Sequence, residues 1–418
     1  MRTLFIFLGL ATVFAQPVFA IAQTIPSFTL AQALQRAWQT SPDLSLASKD
    51  VEIADAQLKQ AAAWPNPELS ILAEGLQKEN RTSTVQLNQT LELGGKRAAR
   101  INVAGFDRAI ANADLNQRRV DVDASVTLAF FEVLMAQEKL TLAQASRHLA
   151  QQATEAAARR VAAGKVAALE EVRAKIAEAS SKISVIQASS ELLLARQKLA
   201  ATWGSNIIDF GEAVMPDAAT EHLPALPELT RRLATSPALQ RAALEIQKQQ
   251  AIVSQERSKR IPDLTISLGS KRDEQAGRSQ IIVGFSMPLA LFDNNQGNVL
   301  GALRKTERAR EEQVMLENKL ALALAEIYQR HLLVKAELQM LKSEILPAAQ
   351  MAFDASIKGF ELGKFSFLEV QDAQRSLLQN KLQYLNTLAE SYRTSAEIQR
   401  LSGTQTGRQS SEHNSTQP

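Results

Sequence analysis

Residues 83–100 read STVQLNQTLELGGKRAAR. Strand side chains alternate between two faces. Val85, Leu87, Leu91 and Leu93 therefore fall on one face, and Thr84, Gln86, Asn88, Thr90 and Glu92 on the other. Gly94 and Gly95 end the strand, and from Lys96 the chain meets no proline until Pro216. A strand with one oily and one wet face, opening straight into a long helix, is the feature the rest of the sequence has to explain.

The stretch has a counterpart further along. Asp263–Gly269 alternates, and so does Gln280–Leu289, with Ile281, Val283, Phe285, Met287 and Leu289 on one face. Thr40-Ser41-Pro42-Asp43-Leu44 recurs as Thr235-Ser236-Pro237-Ala238-Leu239, and Pro67-Glu68-Leu69-Ser70-Ile71 recurs as Pro262-Asp263-Leu264-Thr265-Ile266, both at an offset of 195. Gly164-Lys165 matches Gly363-Lys364, Leu169-Glu170 matches Leu368-Glu369, and Gly204 matches Gly403, at an offset of 199. An ordered series at near-constant spacing is a duplication, with units far longer than a solenoid repeat. Each half runs from a helix opened by Ser-Pro, where proline's missing N–H costs nothing, through two strands to a long helix, a glycine turn and a returning helix. The strand expected over 68–76 is the least regular. The division is residues 23–204 as the first repeat, 205–225 as a linker or equatorial segment, and 226–403 as the second repeat.

The N-terminus reads MRTLFIFLGLATVFAQPVFAIAQ, with Arg2 ahead of an apolar run and small residues around Ala20 and Ala22. Residues 1–22 have the pattern of a secretory signal peptide cut after Ala20 or Ala22. No later window offers the ~18 apolar residues of a membrane-spanning helix. Strands of about ten residues with one oily and one wet face are the signature of a membrane β-barrel, although a half-buried hairpin on a soluble domain shows the same alternation. Four strands cannot close a barrel, since about eight are needed. If these enter a membrane, chains must share one barrel: three would supply twelve strands, two would supply eight.

From Lys96 to about Val161 the pattern predicts roughly 100 Å of helix at 1.5 Å per residue. Leu115, Val122, Val126, Ala129, Val133, Ala136, Leu140 and Ala143 form its packing stripe, rich in alanine. The second long helix, from about Gly301 to Lys358, is expected to kink or to break into two at Pro347. The turns lie at Val161–Ala167 and Phe360–Ser366, each reversing at a glycine. Glu369 and Asp372, three apart, share one helix face. They are either a solvated first turn that suits the helix dipole or, in a tube of several chains, a ring of carboxylates. The tail 404–418, rich in Ser, Thr, Gln and Gly, reads as disordered and periplasmic.

Composition excludes much else. Forty-seven basic and 44 acidic residues nearly cancel, which with no basic block predicts no nucleic-acid partner. There is no cysteine, so no disulfide, thiolate metal site or lipid anchor on cysteine. The four histidines, His148, His222, His331 and His413, show no i, i+3 or i+4 pair. No HExxH, GxSxG or phosphate-cradling loop appears. The expectation is a non-enzyme with no catalytic residue, no cofactor and no tight metal site.

With the duplication, the Ser-Pro helix starts, the strand pairs and the glycine turns in view, the chain from Leu30 to about Gly403 resembles the TolC-type outer-membrane efflux proteins of Gram-negative bacteria. Leu91-Glu92-Leu93-Gly94-Gly95-Lys96-Arg97 resembles the branch serving cobalt–zinc–cadmium and copper–silver exporters. The resemblance implies a membrane α+β fold: a homotrimer with one twelve-stranded outer-membrane β-barrel, four strands per chain, continuous with a long periplasmic α-helical barrel. It implies outer-membrane lipid around the barrel, a periplasmic adaptor (membrane fusion protein) and an inner-membrane proton-driven RND transporter, together exporting divalent heavy metals. Gly164, Lys165, Leu169, Gly363, Lys364, Ser366 and Leu368 fall in the adaptor-docking tip turns, Glu369 and Asp372 at the acidic constriction, and Gly94–Gly95 at the strand-to-helix hinge. The first turn has Ala167 where the second has Ser366, so a hydroxyl contact there comes from one repeat only. Alternatives are a TolC-type exit duct for drugs or secreted proteins, and a soluble periplasmic coiled-coil adaptor, which would need a lipoyl-like β-domain that the sequence does not contain.

Overall fold

The computed structural model describes residues 27–75, 77, 81–215, 223–362 and 364–403. The expected signal peptide, the tail and Gly363 lie outside the described residues. In chain order the elements are α1 Leu30–Thr40, α2 Pro42–Ala61, β1 Glu68–Glu74, β2 Thr82–Leu91, α3 Lys96–Ala162, α4 Ala168–Ala201, α5 Leu226–Leu233, α6 Pro237–Ser258, β3 Leu264–Asp273, β4 Arg278–Ser286, α7 Gln296–Met340, a π-turn Leu341–Ile345, α8 Leu346–Glu361 and α9 Phe367–Ser402. The second half repeats the order of the first. Reading each half from its Ser-Pro leaves out α1 and α5, which precede it.

The four strands form one antiparallel sheet in the order β1-β2-β3-β4, with β2 against β3 joining the repeats. Register aligns Leu69, Leu87, Leu268 and Val283 across one face, flanked by Ile71–Val85 and by Ile266–Phe285. Most of this row is exposed, Ile281 at 82% and Phe285 at 70%. The other face carries Ser70, Gln86 and Gly269, then Asn88 and Ser267, which hydrogen-bond at 2.7 Å. Leu93 falls outside the strand, which ends at Leu91. All four junctions between strand and helix lie at one end of the sheet, because β1 and β3 enter from α2 and α6 while β2 and β4 leave into α3 and α7.

At 67 residues, α3 is the organising strut, packed against α2, α4, α6 and α9. Asp107, Asp114 and Asp121, each seven residues on, pair with Lys248 at 2.8 Å, Arg241 at 2.7 Å and Arg400 at 3.5 Å. These are partly exposed pairs, each contributing less than about 1 kcal/mol. Their spacing sets the register of α3 against α6 and then α9. Apolar burial holds the waist: Val122, Val126, Phe130, Val133 and Leu199 are almost inaccessible to solvent, and each such side chain contributes ~2 kcal/mol. Phe28 pairs with Ala213, donating its N–H to the Glu212 carbonyl and accepting from Val214 N–H, so the chain before α1 and the start of the linker wrap α3 together. Phe28, Trp203 and Phe210 pack as aromatic neighbours there, and Phe131 stacks on Tyr392 at 3.5 Å.

The second long helix divides just ahead of Pro347, into α7 and α8 joined by a π-turn. Proline cannot donate an N–H, and its ring crowds the carbonyl four residues back. A π-turn just ahead absorbs this, Leu346 N–H donating to the Leu341 carbonyl five residues back, and α8 starts with Pro347 in its first turn.

Within the waist Asp123 is 4% exposed and accepts the Trp38 indole N–H at 2.5 Å. Burial raises its carboxyl pKa, and the Trp38 bond offsets this in part. A raised folded-state pKa means that ionising Asp123 costs stability as pH climbs from its unfolded value through its folded one. Asp123→Asn keeps an oxygen for Trp38 and removes the charge. It should raise Tm at neutral pH, and the gain should vanish at a pH below both values, as thermal melts across pH would read.

Candidate functional site

The helical end and the sheet junction hold all the residues singled out from the sequence. At the first tip turn Gly164 adopts φ +67°, its N–H donates to the Val161 carbonyl and Lys165 N–H to the Arg160 carbonyl, each at 2.9 Å. This six-to-one closure is what a left-handed glycine permits. Lys165 and Leu169 are exposed beyond it. At the second turn Lys364 and Phe365 N–H groups both donate to the Gly359 carbonyl, and the Phe365 ring lies where a Gly359 side chain would be. Lys364, Ser366 and Leu368 are exposed.

The helices that follow the turns start differently. Ala167 caps α4 without a side-chain bond. Ser366 caps α9 in a capping box: its hydroxyl accepts from Glu369 N–H at 3.4 Å, and the Glu369 carboxylate accepts from Ser366 N–H at 2.6 Å. Glu369 is thus folded back on its own helix start, while Asp372 is exposed and, among the described residues, has one ion pair, with Arg375 at 3.9 Å. Within one chain they share a turn of helix as expected, but only Asp372 is uncommitted.

Sequence reading missed what joins the two turns. The Arg160 guanidinium donates to the Phe360 carbonyl at 2.9 Å and lies 3.9 Å over the Phe360 ring. Neither residue belongs to a motif, and their separation of 200 positions leaves no periodic signal. Behind this latch a groove of about 1670 Å³ separates α4 from α9, with α3 and α7 along it. Leu368, Gln371 and Arg375 line it, opposite Arg173 and Ala177.

At the other end both hinge glycines have positive φ, +67° at Gly94 and +74° at Gly95. Asp263 binds the hinge across the repeat, accepting Leu93 N–H at 3.1 Å and Lys96 Nζ at 2.7 Å. Arg100 grips Glu92 through both terminal nitrogens, its pKa raised chiefly by that bond.

Among the described residues no group of three His, Asp or Glu side chains converges to hold a metal ion. His331 is buried against Thr394 at 2.9 Å, its pKa lowered by burial and then by Lys335, as for a neutral core histidine. No described helix is long and apolar enough to cross a membrane.

Two long helical hairpins hung from a four-stranded, two-faced sheet make the fold of outer-membrane channel subunits. The structure is similar to CusC, with a TM-score of 0.77 over 90% of this chain and 92% of that one at 16% identity. It is similar to VceC of Vibrio cholerae, with a TM-score of 0.74 over 90% and 96% at 18% identity. The chain belongs to the outer membrane efflux protein family, which it matches over residues 33–205 and 229–404. It is 40% identical to the cobalt-zinc-cadmium resistance protein CzcC of Cupriavidus metallidurans over 96% of this chain and all of that one. It is 30% identical to the nickel-cobalt-cadmium resistance protein NccC of Alcaligenes xylosoxydans xylosoxydans, over 68% of this chain and 66% of that one.

The two hinge glycines make a graded test. A Cβ on Gly95 meets nothing within 4 Å, whereas one on Gly94 would lie 2.8 Å from Ile261 Cβ and 2.9 Å from the Ser258 carbonyl. Gly95→Ala should cost only the left-handed strain, about 1–2 kcal/mol. Gly94→Ala should cost about 3 kcal/mol, strain plus overpacking. Denaturant melts of the two variants would rank them.

Proposed function

We propose that three copies of this chain close a twelve-stranded barrel in the outer membrane and continue it as a helical tunnel into the periplasm. The tunnel is then the exit duct of a tripartite pump, with a periplasmic adaptor at the tip turns and an inner-membrane RND transporter behind it. The cargo is divalent heavy-metal cations of the cobalt, zinc and cadmium kind. The observation that carries the reading is the sheet, whose outward row is apolar and exposed while β1 and β4 each keep an unpaired edge. An unpaired backbone group in lipid costs several kcal/mol, and a neighbouring copy supplies the missing strand.

The helices support the same assembly. Leu169, Val172, Ile176, Ile183, Ile186 and Leu193 are exposed on α4 at heptad spacing, and Met315, Leu322 and Leu333 are exposed on α7. A stripe of this kind is a seam for another helix. The metal cargo rests on the names of the relatives. Cell-associated cobalt, zinc, cadmium, nickel and copper in a deletion strain test it. Accumulation of a metal subset, reversed by the gene, is the expected result; metal levels unchanged while organic-compound tolerance falls would move the cargo to drugs.

Glu369 and Asp372 form the gate in this reading, with Gly164, Lys165, Leu169, Gly363, Lys364, Ser366 and Leu368 as the adaptor-docking tip. Replacing Glu369 by Ala would also undo the α9 cap, worth about 1 kcal/mol. Glutamine at that position keeps a capping box. Glu369→Gln with Asp372→Asn should therefore lower cation selectivity in planar bilayers with the fold intact, and unchanged reversal potentials would remove the pair from the gate.

A further inference from the structure

The junction end of the sheet carries a belt that the duct reading does not use. The apolar alternation of β4 continues past its last residue into Leu289 and Leu291, 74% and 71% exposed, and ends at Phe292, 92% exposed. At the opposite edge Trp64 stands 60% exposed just before β1. Both lie at the level where strands turn into helices, so the oily row ends in an aromatic rim on that side.

Cations sit directly behind the rim. Glu92 is taken by Arg100, Asp263 by Lys96 and Glu256 by Lys259. Arg97 and Arg260 lie at the same level, and no carboxylate lies within salt-bridge distance of either among the described residues. Each uses its Nε on a backbone carbonyl, Arg97 on Ala62 at 2.7 Å and Arg260 on Asn294 at 3.0 Å. Arg97 also lies 4.9 Å over the Trp64 ring. These bonds tie the two guanidiniums to the segments that carry Trp64 and Phe292. A guanidinium fork matches the geometry of phosphate, and aromatic side chains favour the headgroup level.

We propose that this belt is a binding surface for acidic phospholipid headgroups in the leaflet that meets the helical end of the barrel. Trp64, Leu289 and Phe292 enter the acyl boundary, and Arg97 and Arg260 hold the phosphates. The proposal rests on the membrane reading of the sheet and adds to it a lipid preference and the residues that set it.

The test compares purified protein in detergent titrated with phosphatidylglycerol or with phosphatidylcholine, bound lipids being counted by native mass spectrometry. Wild-type protein should bind phosphatidylglycerol more tightly. The preference should fall about five-fold for each arginine removed, the attraction of one basic residue to an acidic surface, so R97Q/R260Q should bind both lipids alike. Arg97 also braces Trp64 and Ala62, so R260Q alone is the independent arm if the double variant fails to fold. Equal binding of both lipids by the wild type, or a preference kept in full by R260Q and R97Q/R260Q, would overturn the proposal. Failure of the wild type to float with liposomes of any composition would instead overturn the membrane reading beneath it.

Discussion

A sheet cannot leave its edges open in lipid, and this chain carries a sheet with an exposed apolar face that is not closed. β1 and β4 are separated by two central strands and cannot meet within one copy. An apolar row crosses all four strands on one face. The repeated strand pairs suit that constraint, and the four junctions at one end send all the long helices away from the sheet on one side.

The helices meet a similar constraint in water. A strut of 67 residues is too long to be covered by one domain's core. The chain covers it in sections: α2 and α6 near the sheet, aromatic packing at the waist, and α4 and α9 along the rest. The aspartates at 107, 114 and 121 add ion pairs from α3 to α6 and α9 that do not depend on burial. What they leave uncovered is the apolar heptad stripe of α4, which matches the open edges of the sheet in asking for a neighbour.

Much of this was legible in the sequence because it is periodic. Alternation in 83–91 and 280–286, proline-free length after Lys96, and the offset of 195 are all repeat signals that survive without a structure. The positive φ at Gly164 was legible for a related reason, since a glycine where a helix reverses has few other uses. What was hidden is aperiodic and distant in sequence: Phe28 against Ala213, Trp38 against Asp123, Arg160 against Phe360. The π-turn was hidden for another reason. Pro347 announces a disturbance, but whether a helix kinks, ends or widens depends on what packs along it.

The duplication is also where the two halves part. The first tip turn is followed by a helix with no side-chain cap, the second by one with a capping box; the first long helix is regular throughout, the second carries the π-turn. Duplicated units under one structural demand would keep the same caps. A capped α9 start and an uncapped α4 start give the two turns different local stability, by about 1 kcal/mol. The π-turn ends at Ile345, in the arm that leads through α8 to the second tip turn. The second hairpin thus differs from the first in one arm and in the cap beyond its turn, and is held to it by the Arg160–Phe360 contact.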